Sequence, residues 1–175
     1  TFQDPGTLDT HTALIDWGDG TGPETVSVTE TAGAGMLSAS HVYADNGNYT
    51  VTVTVTDDEG AVGSDTLAIT VGNVAPEVNA GPDRTVSEGQ SFSIAADFSD
   101  PGIADTHTAI FNWGDGTAPE TAHVSEASGA GTASASHRYP GDGVFTVSVT
   151  VTDDDGASVS DTLIRIGPHE TELSH

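Results

Sequence analysis

The sequence predicts an all-β chain made of two copies of one module, the first lacking its opening strands. The stretch Trp17-Gly18-Asp19-Gly20-Thr21 returns as Trp113-Gly114-Asp115-Gly116-Thr117, 96 residues later. The same spacing relates Phe2 to Phe98, His11 to His107, His41 to His137 and Asp57 to Asp153. From Phe2 to Leu67 roughly two in three residues match their partners without a gap, the mark of a tandem repeat. Valine and threonine alternate with a period of two in several stretches, and no window sustains a 3.6-residue period, so strands are expected and helices are not.

The elements follow in order. Phe2–Asp9 reads as the tail of a strand and an acidic loop. Thr12–Trp17 is a strand with Ala13, Ile15 and Trp17 on one face, stopped by the Gly-Asp-Gly turn. Glu24–Glu30 alternates Thr and Val as a returning strand should. Ala32–Ser40, rich in small residues, reads as a loop into an edge strand at Ser40–Tyr43. Asn48–Thr56 is the clearest strand, with Tyr49, Val51, Val53 and Val55 alternating with threonines. Asp57-Asp58-Glu59-Gly60 ends it, and Ser64–Val71 is the last strand of the module.

Gly72-Asn73-Val74-Ala75-Pro76 marks the boundary. Pro76 fixes its own φ and biases Ala75 toward extended backbone, so the linker is expected to be short and stiff. Glu77–Ala80 and Arg84–Glu88 then read as split first strands around Gly81-Pro82. Ser91–Phe98 is the second strand that the first module lacks, with Phe92, Ile94, Ala96 and Phe98 in phase. The expected division is 1–72 for the shortened module, 73–168 for the complete one and 169–175 for a tail.

Three Lys and Arg face 27 Asp and Glu, for a formal net charge of −24. Such a surface repels nucleic acid and anionic membranes, attracts cations and keeps an extended array soluble. Without cysteine there is no disulfide framework, thiolate metal site or thiol nucleophile. No apolar run reaches membrane-spanning length, so membrane insertion is not expected.

An aromatic-Gly-Asp-Gly turn, a His-x-Tyr pair and a Tyr-Thr-Val-x-Val-x-Val-Thr-Asp strand occur together here. They are Trp17–Thr21, His41-Val42-Tyr43 and Tyr49–Asp57, then Trp113–Thr117, His137-Arg138-Tyr139 and Phe145–Asp153. In these motifs the chain resembles PKD (polycystic-kidney-disease type) repeats, in the form found in long bacterial surface and secreted proteins. The match spans nearly all of the second module and about three quarters of the first. The family's usual Trp-Asp-Phe-Gly-Asp-Gly is reordered to Phe111-Asn112-Trp113-Gly114-Asp115-Gly116. The resemblance implies tandem immunoglobulin-like β-sandwiches, each of two packed sheets.

Calcium is the expected cofactor. In a sandwich, the loop holding Asp100 and Asp105 and the loop holding Asp153, Asp154 and Asp155 emerge at one end, where carboxylates and carbonyls supply the six to eight oxygens that calcium takes. PKD modules of bacterial collagenases place calcium at this end with help from the preceding linker. By position, that similarity implies Asp100, Asp105 and Asp153 with Asn73 in the second module, and Asp4, Asp9 and Asp57 in the first.

No catalytic residue is expected. His11 and His107 each follow an Asp by two residues, but no activated nucleophile context accompanies them. His41 and His137 are expected to pack and hydrogen-bond at a strand end. His169-Glu170 with His175 lacks the His-Glu-x-x-His zinc spacing. Asp19 and Asp115 fit turn geometry, and Trp17 and Trp113 fit the core rather than a sugar platform.

The resulting expectation is a non-enzymatic, acidic, extracellular or cell-surface repeat: a spacer or adhesion segment whose partners are neighbouring repeats of the same protein. Two alternatives belong to other classes. One is an accessory module of a secreted hydrolase binding protein or polysaccharide through an exposed strip, for which only Phe2, Tyr43 and Tyr139 offer themselves. The other is a self-assembling filament subunit completed by a neighbour's strands.

Overall fold

The computed structural model describes residues 1–166, which hold sixteen strands and no helix. The expected tail at 169–175, with its histidines, lies outside the described residues. Two compact units divide at Gly72 and Asn73.

Unit 1 contains β1 (Phe2–Gln3), β2 (His11–Asp16), β3 (Glu24–Val26), β4 (Val28–Thr31), β5 (Ala34–Leu37), β6 (Gly47–Asp57) and β7 (Val62–Val71). They form a four-stranded sheet in the order β3-β2-β6-β7 and a three-stranded sheet β1-β5-β4. Every pairing is antiparallel.

Unit 2 contains β8 (Glu77–Asn79), β9 (Arg84–Thr85), β10 (Ser91–Ser99), β11 (His107–Asn112), β12 (Glu120–Thr121), β13 (His123–Ala127), β14 (Ala130–Arg138), β15 (Val144–Asp153) and β16 (Ser158–Ile166). Its sheets run β12-β11-β15-β16-β9 and β13-β14-β10-β8, with β9 joining β16 in parallel. Registers repeat across the units: Ile15 faces Val53 as Phe111 faces Val149. The chain is thus a tandem of immunoglobulin-like β-sandwiches.

Alternation builds the core. Along β15, Val147, Val149 and Val151 turn inward and are essentially inaccessible, while Thr146, Ser148 and Thr150 take the other face. Phe111, Trp113, Ile94 and Leu163 complete the apolar layer. Each such side chain stabilises the fold by about 1.5–3 kcal/mol through loss of water contact. Unit 1 has a smaller fully buried set, Ile15, Val26 and Val51, with Trp17, Leu37, Val53 and Ile69 half-covered.

Two expected elements are corrected. Glu24–Glu30 is not one strand: β3 belongs to one sheet and β4 to the other, and the chain crosses at Ser27, as it does at Ala122 in unit 2. β-Branched residues suit either sheet, so the alternation runs through the crossing unmarked. The strand expected at Ser40–Tyr43 is instead β5, Ala34–Leu37. In unit 2 the same region is one long strand, β14, because β10 pairs with it from Ser91↔Arg138 to Ser99↔Ala130. Unit 1 has only β1 against β5, so the ladder stops sooner.

The tip between β4 and β5 has Ala32 and Gly33 at φ 51° and 78°, and that between β13 and β14 has Ser128 and Gly129 at 51° and 74°. Two successive positive φ values twist a two-residue hairpin in the sense that antiparallel strands need. Each tip also holds the acidic loop: Asp4 N–H donates to the Gly33 carbonyl at 2.7 Å, and Asp100 N–H to that of Gly129 at 2.5 Å.

Candidate metal centre

Each unit gathers acidic side chains where the loop after the β1 or β10 strand meets the end of β6 or β15. In unit 2, carboxylate oxygens of Asp100, Asp105 and Asp153 lie within 4.8 Å of one another, and all three residues are buried. Asp4, Asp9 and Asp57 make the corresponding group in unit 1, half-exposed.

Local backbone chemistry fixes the Asp100 and Asp153 carboxylates and the Asp105 backbone. Asp100 Oδ1 accepts from Gly102 N–H at 2.7 Å, and Asp105 N–H donates back to the Gly102 carbonyl at 3.1 Å. Asp153 ends β15; its Oδ1 accepts from Ala157 N–H at 2.7 Å. Asn73, the first residue of unit 2, donates its side-chain N–H to Asp153 Oδ2 at 2.9 Å. Thus all four residues expected in unit 2 converge, and so do the three expected in unit 1.

The electrostatics are tense. Burial pushes Asp153 up, but the bonds from Asn73, Ala157 and Gly156 outweigh it and hold the carboxyl below its ordinary value. Asp9 goes the other way: burial, then the charges of Asp4, Asp58 and Asp57, hold it above the ordinary value. Like charges this close raise one another unless a cation or proton intervenes. The three aspartates offer a cluster of carboxylate oxygens, which matches calcium's preference for hard oxygen ligands.

His107 backs the cluster. Its Nδ1 lies 2.8 Å from Glu126 Oε2 and its Nε2 3.4 Å from Asp100 Oδ2. His11 repeats this with Glu30 at 2.7 Å and Asp4 at 3.5 Å. Burial lowers the His11 basicity, but bonds to Glu30 and Asp4 more than restore it, so it is raised. Glu126 and Asp100 thus hold the His107 ring against the cluster, as Glu30 and Asp4 hold His11. The sequence reading missed Glu30 and Glu126. Their retention at the common 96-residue spacing was the available signal, although Val28, Gly33, Ala34 and Gly35 of the same hairpin are retained as well.

At the opposite end of the β2 and β11 strands, the Gly-Asp-Gly aspartates are structural. Asp115 Oδ1 accepts from the N–H and hydroxyl of Thr117, at 3.0 and 2.6 Å, and Oδ2 lies 2.8 Å from His137 Nε2. Asp19 does the same with Thr21 and His41. Gly114 has φ 74°, and a Cβ there would run into the Thr146 carbonyl, so glycine is required on both counts.

The surface strip considered for ligand binding loses a member. Tyr139 is buried and donates its hydroxyl to the Trp113 carbonyl at 2.7 Å. Trp113 is buried as well, and its indole N–H reaches Glu120 at 3.2 Å. Among the described residues no helix is long and apolar enough to cross a membrane.

A family model described as PKD domain matches residues 1–71 and again 73–166. The human "Dyslexia-associated protein KIAA0319" is 32% identical over 121 residues, which is 67% of this chain and 11% of that protein. The chain therefore spans about a tenth of that relative. Among solved structures, titin domains Z1Z2 in complex with telethonin are similar at 16% identity and TM-score 0.45, covering 91% of this chain and 83% of theirs. The protocadherin γB4 extracellular domain gives 13% and 0.37, covering 91% of this chain and 27% of its own.

Proposed function

The chain belongs to the PKD domain family, and from that premise we propose that its two units are non-catalytic spacer or adhesion modules of a large extracellular or cell-surface protein, stiffened by calcium. The observation that carries this reading is the duplicated carboxylate cluster, joined in unit 2 by Asn73 from the linker stretch. A cation held by Asp100, Asp105 and Asp153 would relieve their repulsion and tie the Asn73 segment to the end of β15. Asp4, Asp9 and Asp57 would hold the equivalent ion in unit 1. The affinity expected is of the weak extracellular kind, about 10⁻⁴ to 10⁻³ M.

The high negative charge supports the same reading, since it keeps an array of repeats soluble and draws divalent cations toward it. Calorimetric titration with CaCl₂, and small-angle scattering with and without chelator, test the proposal. Saturable binding with a narrower distribution of shapes in calcium supports it. Superimposable profiles showing freely hinged modules would refute the stiffening.

A further inference from the structure

The histidine–carboxylate contacts fall into two classes. His41–Asp19 and His137–Asp115 close to 2.7 and 2.8 Å, and His11–Glu30 and His107–Glu126 do the same. The other ring nitrogen of His11 stands 3.5 Å from Asp4 Oδ2, and that of His107 stands 3.4 Å from Asp100 Oδ2. A protonated nitrogen facing a carboxylate closes to about 2.7–2.9 Å. Two donors each about 2.1 Å from one ion at a tetrahedral angle stand about 3.4 Å apart. His11 Nε2 makes no hydrogen bond although its side chain is only 3% exposed. A buried polar atom is thus aimed at the carboxylate cluster without a bond of its own.

The rest of each ring is held as a ligand's would be. Glu30 accepts the backbone N–H of His11 at 3.1 Å and its Nδ1 proton at 2.7 Å. A carboxylate only accepts, so Nδ1 carries the proton and Nε2 of the neutral ring keeps a lone pair. Glu126 does the same for His107, at 3.0 and 2.8 Å. Phe2 and Phe98 pack against the two rings, with centroids 4.7 and 4.8 Å away. A carboxylate behind the ring is the usual support of a metal-bound imidazole: it fixes the tautomer and strengthens the outer nitrogen as a donor. The neighbouring oxygens are set similarly. Gly6 N–H takes Asp4 Oδ1 and Ala61 N–H takes Asp57 Oδ1, which leaves each Oδ2 for an ion.

We propose that His11 Nε2 is a nitrogen ligand alongside Asp4, Asp9 and Asp57, and His107 Nε2 alongside Asp100, Asp105 and Asp153, so that each centre takes a first-row divalent ion of the zinc type as well as calcium. The inference rests on the clusters being cation sites, as proposed above, and adds a donor and a second class of ion. Calcium takes oxygen and gains little from an imidazole, whereas zinc binds imidazole and carboxylate together. The ion takes the place of any second proton on the ring. Glu30 and Glu126 are positioning residues that act through the histidines.

Zinc chloride titrated into the full chain, followed by NMR of the imidazole nitrogens, tests this. The expected result is a saturable shift of the His11 and His107 Nε2 signals, with their Nδ1 protons retained and His41 and His137 unmoved. In calorimetry, His11→Gln with His107→Gln should lower zinc affinity at least tenfold relative to calcium affinity, because a Gln carbonyl suits calcium and cannot replace imidazole for zinc. Glu30→Gln with Glu126→Gln should weaken zinc about tenfold while the Nε2 shift at saturation persists. Zinc that leaves both rings of the native chain unmoved, or that binds the histidine variant with unchanged preference over calcium, would overturn the proposal. Calcium binding without a zinc shift at the rings refutes this inference and leaves the calcium reading standing. A zinc shift at the rings without calcium binding supports the nitrogen ligands and refutes the calcium reading.

Discussion

His137 lies flat on the indole of Trp113, with ring centroids 4.7 Å apart and planes 9° from parallel. Its far nitrogen is held by Asp115, and Tyr139 meets its edge at 4.6 Å. His41 stacks on Trp17 in the same way, at 4.9 Å and 11°. The turn aspartate, the His-x-Tyr pair and the core tryptophan therefore form one unit, which explains why the three motifs travel together in both copies.

Replacing Asp115 by Ala removes the acceptor for Thr117 and His137 at once. The expected loss is about 1–3 kcal/mol from unit 2, the usual cost of stranding partly buried donors. Urea unfolding in a Trp17→Phe background, where Trp113 alone reports, measures it.

The same carboxylate sets an acid limit. Burial pushes Asp115 up, but bonds from Thr117 and His137 prevail and hold it at about 2, against an ordinary 3.8. A depressed carboxyl contributes its full stabilisation above the unfolded value and loses it as pH falls through the folded one. The stability gap between the native chain and Asp115→Asn should stay level above about pH 5 and close between about pH 4 and pH 2. A gap unchanged at the acid end would contradict this.

Leu67 and Leu163 occupy the same place in their repeats, at 51% and 1% exposure. Leu163→Ala should cost about 2–5 kcal/mol through lost burial and the cavity left behind. Leu67→Ala should change stability by about 0.5 kcal/mol or less. Parallel denaturation curves of the two variants give the comparison.

Asp105→Asn removes one charge from three carboxylates within 4.8 Å. In chelator the variant should melt higher, by about 4–8 °C for each kcal/mol of repulsion relieved in a unit of this size. Addition of CaCl₂ should then raise its midpoint less than that of the native chain. Scanning calorimetry in the two buffers reads both effects.

The sequence by itself determined the repeat, the all-β class and most of the strands, and with the family resemblance it pointed to the residues that meet at the acidic end. Each depends on local signals: alternation along β6 and β15, glycine at the Gly-Asp-Gly turn, and aspartates in loops that must end at one edge. It did not reveal the Ser27 and Ala122 crossings, because Val and Thr serve either sheet. Nor did it reveal the hydrogen bonds joining His11 to Glu30 and His107 to Glu126, whose members are 19 residues apart. Only tertiary structure decided which identical residues became core. Asp-Thr-Leu reads the same at 65–67 and at 161–163, yet Leu67 is 51% exposed and Leu163 1% exposed. Burial belongs to whatever packs across the sheet, and no residue's own neighbours in the chain encode that.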